Sequence, residues 1–260
     1  MGVVLNEREY AQDMLDRCTL GQKPIEAMGY LARYYMADGY KRREIVSLLE
    51  EFMMKCDPAV NMVKWQAAIE QKVRSACRTS LVELDSIPIT QRELDLCGSL
   101  RGTQMRRLLF TLICLAKFAD AVNGHNGGWV NRPDNEIFRM ANIVTPVKRQ
   151  SLMLNDLRDL GMIRFSRKVD NVNIKVECAD PGGDAVLHIT DFRNLGYQYM
   201  RHCDEYGGKL SAKPQTSYFE CEVCGIVEKR TGNRQKYCKE CGIEMNRQKS
   251  MENRRKGLAS

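Results

Sequence analysis

The chain lacks the residues and short motifs on which many catalytic sites depend. Only three histidines occur among 260 residues, and His125, His188 and His202 are isolated from one another. The phosphate-binding loop GxxxxGK[ST], the zinc-protease motif HExxH and the serine-hydrolase motif GxSxG are all missing. Carboxylates are plentiful, but none forms the spaced pair or triplet typical of a two-metal nuclease. We therefore expect a protein that is not an enzyme.

Long apolar segments are missing as well. The longest, from Leu108 to Phe118, is shorter than the ~20 residues of a membrane-spanning helix and contains Lys117. The first residues, MGVVLNERE, turn polar and acidic at once, unlike a signal peptide. These absences predict a cytoplasmic protein with no membrane partner. In that reducing compartment the eleven cysteines are not expected to form a disulfide framework.

The composition is that of a globular protein, with 43% apolar and 28% charged residues. The net charge of +7 is confined to one end of the chain. Residues 229–260 contain ten basic and three acidic residues, whereas the charges of residues 1–228 cancel. A positive end on a neutral body indicates a localised contact with a polyanion.

Four of the eleven cysteines form two CxxC pairs, Cys221 with Cys224 and Cys238 with Cys241. Two such pairs present four thiolates, the ligand set of a closed, structural Zn²⁺ site. Gly225 and Gly242 each follow a pair, where tight turns often need a positive φ. The sequence ECEVCGIVEKRTGNRQKYCKECG thus resembles a zinc ribbon with one structural zinc ion. We expect a hairpin within residues 226–237, around Thr231, Gly232 and Asn233.

Two other uses of these cysteines fit the pattern less well. A redox CxxC site needs only one pair, and it usually begins a helix after a strand. A catalytic zinc keeps one coordination position open and normally uses histidine or carboxylate ligands. The other seven cysteines occur singly and are expected to be small buried apolar residues.

Residues 1–80 are predicted to form a helical domain. Pro24 starts one helix that ends near Gly39, and apolar residues at helical spacing predict two more around residues 45–53 and 63–77. Residues 81–102 are expected to be an extended connector followed by a short helix. Thr90 and Glu93 have the spacing of a capping box at the start of that helix.

The central segment changes its hydrophobic period from 3.6 to 2 at Gly161. Before it we predict a long helix over 104–121, a short helix over 135–142, and a helix over 147–160 with Thr145 as N-cap and Pro146 in the first turn. After it we predict strands over 163–168, 172–176 and 185–189. The order of helix, short helix, capped helix and hairpin, with the phrase LNDLRDLGMIRF, resembles a winged helix-turn-helix domain over about 103–190.

That resemblance implies a nucleic-acid interface, because the third helix of such domains usually enters the major groove and the hairpin contacts the backbone. The implied contacts on the helix are Lys148, Arg149, Ser151, Asn155 and Arg158, and those on the wing are Arg164, Arg167 and Lys168. Winged helices also bind proteins, and Asp156 and Asp159 reduce the positive charge of this helix. A solvated helix or disordered arm after residue 246 would add phosphate contacts from Arg247, Lys249, Arg254, Arg255 and Lys256.

The predicted fold class is mainly α with small β elements. The predicted divisions are a helical domain (1–80), a connector and short helix (81–102), a winged helix domain (103–202), a linker (203–217), a zinc ribbon (218–245) and a basic tail (246–260). This arrangement resembles uncharacterised phage and prophage proteins of Gram-positive bacteria, through the phrases GYKRREIVSLLEEF, LMLNDLRDLGMI, ITDFRNLGYQYM and RQKYCKEC. The resemblance implies a bacterial host cell.

Two functions of different classes follow. The first is nucleic-acid binding, with double-stranded DNA as the expected partner, in phage transcription control or replication initiation. The second is a protein-binding inhibitor or adaptor that docks on a host nucleic-acid enzyme, such as a polymerase, a helicase or a defence nuclease of the CRISPR effector kind. In either case the helical N-terminal domain is a candidate surface for a homodimer.

Overall fold

A computed structural model of the chain contains two compact units, Met1–Ser86 and Ile87–Ser260. It describes residues 3–21, 23–124, 126–166, 173–180, 182–206, 217–232 and 234–258. Helices dominate both units, and the strands of the second unit form small antiparallel sheets. The prediction of a mainly helical fold with small β elements is confirmed at this level.

The first unit consists of helices, as the sequence predicts. They are α1 (Glu7–Arg17), α2 (Pro24–Ala37), α3 (Arg42–Cys56) and α4 (Met62–Ala76). The side chain of Asn6 accepts a hydrogen bond from the backbone N–H of Glu9 and caps α1. Pro24 lies in the first turn of α2, where its missing N–H costs no hydrogen bond.

An apolar core holds these four helices together. Met28, Leu31, Ile45 and Leu49 are fully buried in it. Each such side chain contributes about 1.5–3 kcal/mol through its removal from water. The unit is therefore stabilised in the ordinary way, by burial of apolar side chains.

One buried ion pair accompanies that core. Both oxygens of Glu7 accept hydrogen bonds from the Arg33 guanidinium, at 2.7 and 2.6 Å. The backbone N–H of Val82 also donates to Glu7, so the segment after α4 is fixed to the start of α1. Breaking a buried pair of this kind is costly, because it leaves a charge without its partner.

The second unit begins with a strand and continues through six helices and six more strands of the described chain. In chain order they are β1 (Ile87–Thr90), α5 (Gln91–Ser99), α6 (Thr103–Asn123), β2 (Trp129–Val130), α7 (Asp134–Met140), α8 (Val147–Asp159), β3 (Ile163–Phe165), β4 (Ile174–Val176), β5 (Ala185–Ile189), α9 (Leu195–Tyr206), β6 (Tyr218–Glu220), β7 (Val227–Lys229) and α10 (Lys239–Leu258).

The end of the predicted connector is the strand β1, which pairs antiparallel with β5. The exposed Pro88 fits there, because a two-stranded sheet leaves one edge of β1 without a partner strand. The predicted capping box is confirmed: the backbone N–H of Thr90 donates to Glu93 at 2.8 Å, and that of Glu93 to the Thr90 hydroxyl. Glu93 is fully buried and also accepts a bond from Lys117 at 3.0 Å.

Residues 103–176 form a helical layer against a three-stranded antiparallel sheet with the strand order β2-β4-β3. The middle of α6, residues 108–116, is buried on all sides, as expected for a helix that is apolar over much of its surface. Helix α8 packs through Met153, Leu154 and Leu157. The prediction that Thr145 caps α8 is wrong: Pro146, in extended conformation, occupies the N-cap position, and no side chain caps the helix.

Helix α9 packs along α6, where the rings of Phe110 and Tyr199 lie 5.1 Å apart. Gly196 allows a close approach to the end of α7, since a Cβ atom at this position would overlap the carbonyl oxygen of Ala141. The glycine of the phrase RNLGYQYM is thus required by packing rather than by a turn.

The last elements are the hairpin of β6 and β7 and the helix α10. The predicted hairpin around Thr231 and Gly232 is wrong, because β7 pairs with the preceding strand β6; Asn233 lies outside the described residues. Of the two alternatives for the basic end, the helix is correct, since α10 continues to Leu258. None of the helices in the described part of the chain is both long and apolar enough to cross a membrane.

Candidate metal centre and basic surface

The first CxxC pair forms the turn of the β6–β7 hairpin. Cys221 follows β6 directly, and its backbone N–H donates to the carbonyl of Ile226 at 2.9 Å. The N–H of Gly225 returns to the carbonyl of Cys221, and its φ of 70° is in the left-handed region that favours glycine. This turn directs Cys221 and Cys224 to the same side of the chain.

The second pair lies at the start of α10. Cys238 precedes the helix, and Cys241 lies in its first turn. The N–H of Cys241 donates to the Cys238 sulfur at 3.4 Å, and the N–H of Gly242 to the Cys238 carbonyl at 2.8 Å. Free N–H groups at a helix start favour negative charge nearby, so this position stabilises a thiolate.

The two pairs converge on one point. All four sulfur atoms lie within 4.8 Å of one another, and those of Cys224 and Cys238 are 3.7 Å apart. A tetrahedral ion with metal–sulfur bonds of ~2.3 Å needs sulfurs ~3.8 Å apart. Cys221 and Cys238 are also buried, at 2% and 4% exposure. The cluster predicted from the sequence therefore has the geometry of a closed metal site.

Charge within the cluster also favours a cation. Burial raises the pKa of Cys221, but hydrogen bonds from the backbone of Cys238, Cys224 and Val223 outweigh it and lower the pKa to about 6. Burial raises the pKa of Cys238, and the hydrogen bond with Cys238 raises that of Cys241. Without an ion, the neighbouring sulfurs cannot all be ionised at neutral pH. A divalent cation removes this conflict, because it stabilises every thiolate at once.

Some basic residues beside the cluster have structural roles. Lys236 forms an ion pair with Glu222 at 3.1 Å. The Arg230 guanidinium lies 5.3 Å from the centre of the Phe219 ring and donates to the carbonyl of Gln235. These contacts order the segment between the two cysteine pairs. They also engage Lys236 and Arg230, so both cations are less available to a polyanion.

The cysteine module, defined as residues 217–242, is fixed by polar contacts to α9 and to the two residues before it. Arg193 donates to the carbonyl of Cys224 at 2.8 Å. Asn194 donates to the carbonyl of Val227 at 3.0 Å. Arg201 pairs with Glu220 at 2.6 Å. Sequence reasoning did not find these anchors, because each depends on a partner about 20–35 residues further along the chain.

Two asparagines connect the module to the rest of its unit. Asn142 and Asn194 both have a positive φ, 56° and 54°, which asparagine tolerates better than most residues. The side-chain amide of Asn142 donates to that of Asn194 at 2.8 Å, and the N–H of Tyr197 donates to Asn142. Asn142 follows the end of α7 and Asn194 precedes the start of α9, so an asparagine at a helix boundary was the available sequence signal for both positions.

The residues predicted to bind nucleic acid from α8 fall into two groups. Lys148 and Arg149 are exposed in its first turn, and neither has an ion-pair partner among the described residues. Ser151 and Asn155 are engaged locally: the Ser151 hydroxyl donates to the Val147 carbonyl, and the Asn155 amide to the Ser151 carbonyl. Among the predicted contacts on α8, Lys148 and Arg149 at the start of the helix are therefore the most available cations.

The other predicted contacts differ in how available they are. Arg158 pairs with Asp159 at 2.8 Å, and its guanidinium lies 5.8 Å from the Phe165 ring centre. Arg164 on β3 pairs with Glu177 at 2.9 Å. Arg167 and Lys168 lie outside the described residues.

Helix α10 carries the remaining predicted contacts. Lys249 is exposed, and Arg247 is exposed 3.8 Å from Glu244. Arg254, Arg255 and Lys256 belong to the last turns of the helix, and their side chains lie outside the described part. These basic residues therefore lie on the same helix as Cys241 of the second pair.

Comparison of the chain with known protein families, with curated proteins and with solved structures finds no match. The proposal of a function therefore depends on the chain's own residues.

Proposed function

We propose that the protein binds nucleic acid, with duplex DNA as its target, and that it acts in phage transcription control or replication initiation rather than as an enzyme. The observation that carries this proposal is the start of α8, where Lys148 and Arg149 are exposed and have no ion-pair partner in the described part of the chain. The first residues of a recognition helix approach the base edges of DNA, and this supports a contact role for both cations.

The order of elements supports a winged helix over residues 103–176. A long helix, a short strand, a short helix, α8 and a two-stranded hairpin follow one another, as in the winged helix-turn-helix domains that the sequence resembles. The strand β2 pairs with β4, and the apolar side of α8 is buried. This packing leaves Lys148 and Arg149 on the solvent side of a helix with a fixed orientation.

We propose Zn²⁺ as the ion of the four-cysteine cluster, in a purely structural role. Four thiolates without histidine or carboxylate suit zinc, and they leave no open position for a reacting molecule. Residues Cys221, Cys224, Cys238 and Cys241 would hold it. The ion would fix the start of α10, whose basic residues then add phosphate contacts.

A salt titration tests the proposal. Binding of a fluorescent duplex to the wild-type chain is measured by anisotropy between ~50 and 200 mM salt. The expected result is a logarithm of affinity that falls by ~0.9 per phosphate contact for each tenfold rise in salt. Lys148→Ala/Arg149→Ala is expected to weaken binding at least about tenfold and to reduce the slope by about one per lost contact.

Lys64→Ala/Arg74→Ala is the matched control. Both residues are exposed on α4 in the first unit, and the variant loses the same charge. It is expected to bind as the wild type does. The proposal fails if the wild type does not bind duplex at low salt, or if the two double variants lose equal affinity.

One observation favours the second candidate function, docking on a host nucleic-acid enzyme. Val144 and Val147, next to Lys148, are 99% and 75% exposed. Exposed apolar side chains beside cations are typical of a surface that binds protein. Such a partner should co-purify with the wild type and with Lys148→Ala/Arg149→Ala, but not with Val144→Ser/Val147→Ser. Duplex binding that survives the valine changes would instead favour DNA.

A further inference from the structure

A cavity of about 310 Å³ lies in the second unit, where three helical segments meet the β6–β7 hairpin. Its walls come from the start of α6, the turn between α7 and α8, the helix α9, and the hairpin. The residues that matter for its chemistry are Thr103, Arg107, Asn142, Tyr197, Tyr218 and Lys229. Neither the cysteine cluster nor the exposed face of α8 includes any of them.

The cavity is positively charged. Arg107 and Lys229 line it, no carboxylate does, and neither cation has an ion-pair partner among the described residues. Burial raises the pKa of Tyr218, and Asp204 adds to this effect against the opposing charge of Arg107. The Tyr218 hydroxyl therefore remains protonated at neutral pH and can donate a hydrogen bond.

Arg107 is fixed by contacts with Asn142 and Tyr197, and most of its N–H donors remain available to a ligand. One terminal nitrogen donates to the carbonyl of Asn142 at 3.1 Å, and the guanidinium lies 5.9 Å from the centre of the Tyr197 ring. Its Nε is buried and has no hydrogen-bond partner among the residues that the structure describes. A guanidinium has five N–H donors, so this side chain is fixed while most of its hydrogen-bonding capacity is unused.

The start of α6 adds further donors. Gly102 is its N-cap residue and offers no side chain, so no side-chain hydrogen bond satisfies the first N–H groups of this 21-residue helix. Thr103, in the first turn, lines the cavity and adds a hydroxyl. Free N–H groups at a helix start attract anions, and Thr103 places this helix start beside the cavity that Arg107 and Lys229 line.

We propose that this cavity binds a phosphate group, either as free phosphate or as the phosphate of a small phosphomonoester such as a mononucleotide. Lys229 and Arg107 would supply the charge, while Thr103 and the helix start would supply neutral donors. The volume is at the lower limit of ~300–1,000 Å³ typical of small-molecule sites. The rings of Tyr197 and Tyr218, 5.3 Å apart, offer an apolar surface for a sugar or base.

This site is independent of the proposed duplex binding. A cavity of this volume has the size of a small-molecule site, and its lining residues differ from those proposed to contact DNA. Failure of either proposal therefore leaves the other standing.

Calorimetry with the full, metal-loaded chain tests it. The probes are inorganic phosphate, ribose 5-phosphate, AMP, and adenosine as the phosphate-free control. Binding of the phosphorylated probes without adenosine is expected. Tighter binding of AMP than of phosphate identifies the phosphomonoester as the ligand, and equal binding identifies free phosphate.

Lys229→Gln is the decisive variant, because its side chain is exposed and it removes one charge from the cavity. It is expected to weaken phosphate binding at least about tenfold, as the loss of a charge-assisted hydrogen bond implies. Lys239→Gln, an exposed change in the same module away from the cavity, should bind like the wild type. Metal content and unfolding temperature verify that both variants fold. No binding of any phosphate, or unchanged affinity in Lys229→Gln, overturns the proposal.

Discussion

The first unit and the cysteine module differ in what stabilises their folds. In the first unit, fourteen of the described residues form one buried, mainly apolar core. In the described part of the cysteine module, the buried apolar residues are Phe219 and Val227, with the cysteines Cys221 and Cys238. Burial of two apolar side chains cannot offset the conformational entropy lost by some two dozen residues.

The difference shows what each region needs in order to fold. The first unit has a large apolar core of its own, together with the buried ion pair of Glu7 and Arg33. With so small a core, the module is expected to need an ion at the four-cysteine cluster to join its two ends, since Cys221 and Cys241 are 20 residues apart in the chain. Substitutions and metal loss should therefore affect the two regions independently, and the size of each effect tests the comparison.

Loss of the metal should have the largest effect. A structural zinc site contributes an apparent ~10–16 kcal/mol, so Cys238→Ser should abolish both the ion and the fold of the module. Metal analysis should give about one ion per chain for the wild type and none for the variant. Hydrogen exchange should show lost protection at the amides of Gly225 and Gly242, with no change in the first unit.

Cys18→Ser is the matched control for that experiment. Cys18 lies in the first unit, outside the cluster, and this variant should retain its metal. The comparison fails if chelation also exposes the amides of α3, because the first unit would then depend on the ion.

Acid should remove the metal more gradually. The raised pKa values of Cys238 and Cys241 mean that both thiols must release a proton on binding, whereas Cys221 is already ionised above a pKa of about 6. Each released proton changes the affinity by about tenfold per pH unit. The affinity should thus fall at least ~100-fold per unit from pH 8 to 6, and more steeply below 6. Competition with a coloured chelator measures this, and a pH-independent affinity would contradict it.

A core change should affect the first unit alone. Leu49 is fully buried, so Leu49→Ala should destabilise the unit by about 2–5 kcal/mol through lost burial and a residual cavity. Hydrogen exchange at amides of α2 and α3 reports the loss, and the metal content should remain at one ion per chain. A lower metal content would show that the two regions share their stability.

The smallest expected effect concerns the contact between α9 and the end of α7, in the unit to which the cysteine module belongs. Gly196→Ala places a Cβ atom against the carbonyl oxygen of Ala141 and should cost about 1–3 kcal/mol. Gly98→Ala is the control, because Gly98 lies in α5 with open space around it, and should stabilise by up to about 1 kcal/mol. Thermal unfolding measures both, and equal shifts would refute the close approach.

Local features of the fold were predictable from the sequence. The start of α2 at Pro24, the capping box of Thr90 and Glu93, and the change of period at Gly161 all depend on neighbouring residues. Long-range pairings were not predictable in this way. Strand β5 pairs with β1 almost 100 residues away, and β7 pairs with β6 rather than folding back on the segment after it.

The candidate site also has some features that depend on local sequence and others that depend on long-range contacts. CxxC spacing alone identified all four cysteines, because two thiolates from one tight turn already define half of a tetrahedral site. Spacing could not show that the second pair begins a helix, nor that Arg158 and Arg164 are engaged with carboxylates. Ion pairs depend on which charged side chains the tertiary fold brings together.

The sequence by itself determined the helical character of the chain, the four cysteines of the candidate metal site and the location of the excess charge. These properties follow from residue type and local spacing. Only the tertiary structure decided which cations remain available, how Asn142 and Asn194 connect the module to its unit, and that Arg107 and Lys229 line one cavity. Their positions in the chain are 122 residues apart, and only the packing of α6 and α9 with the β6–β7 hairpin brings them together.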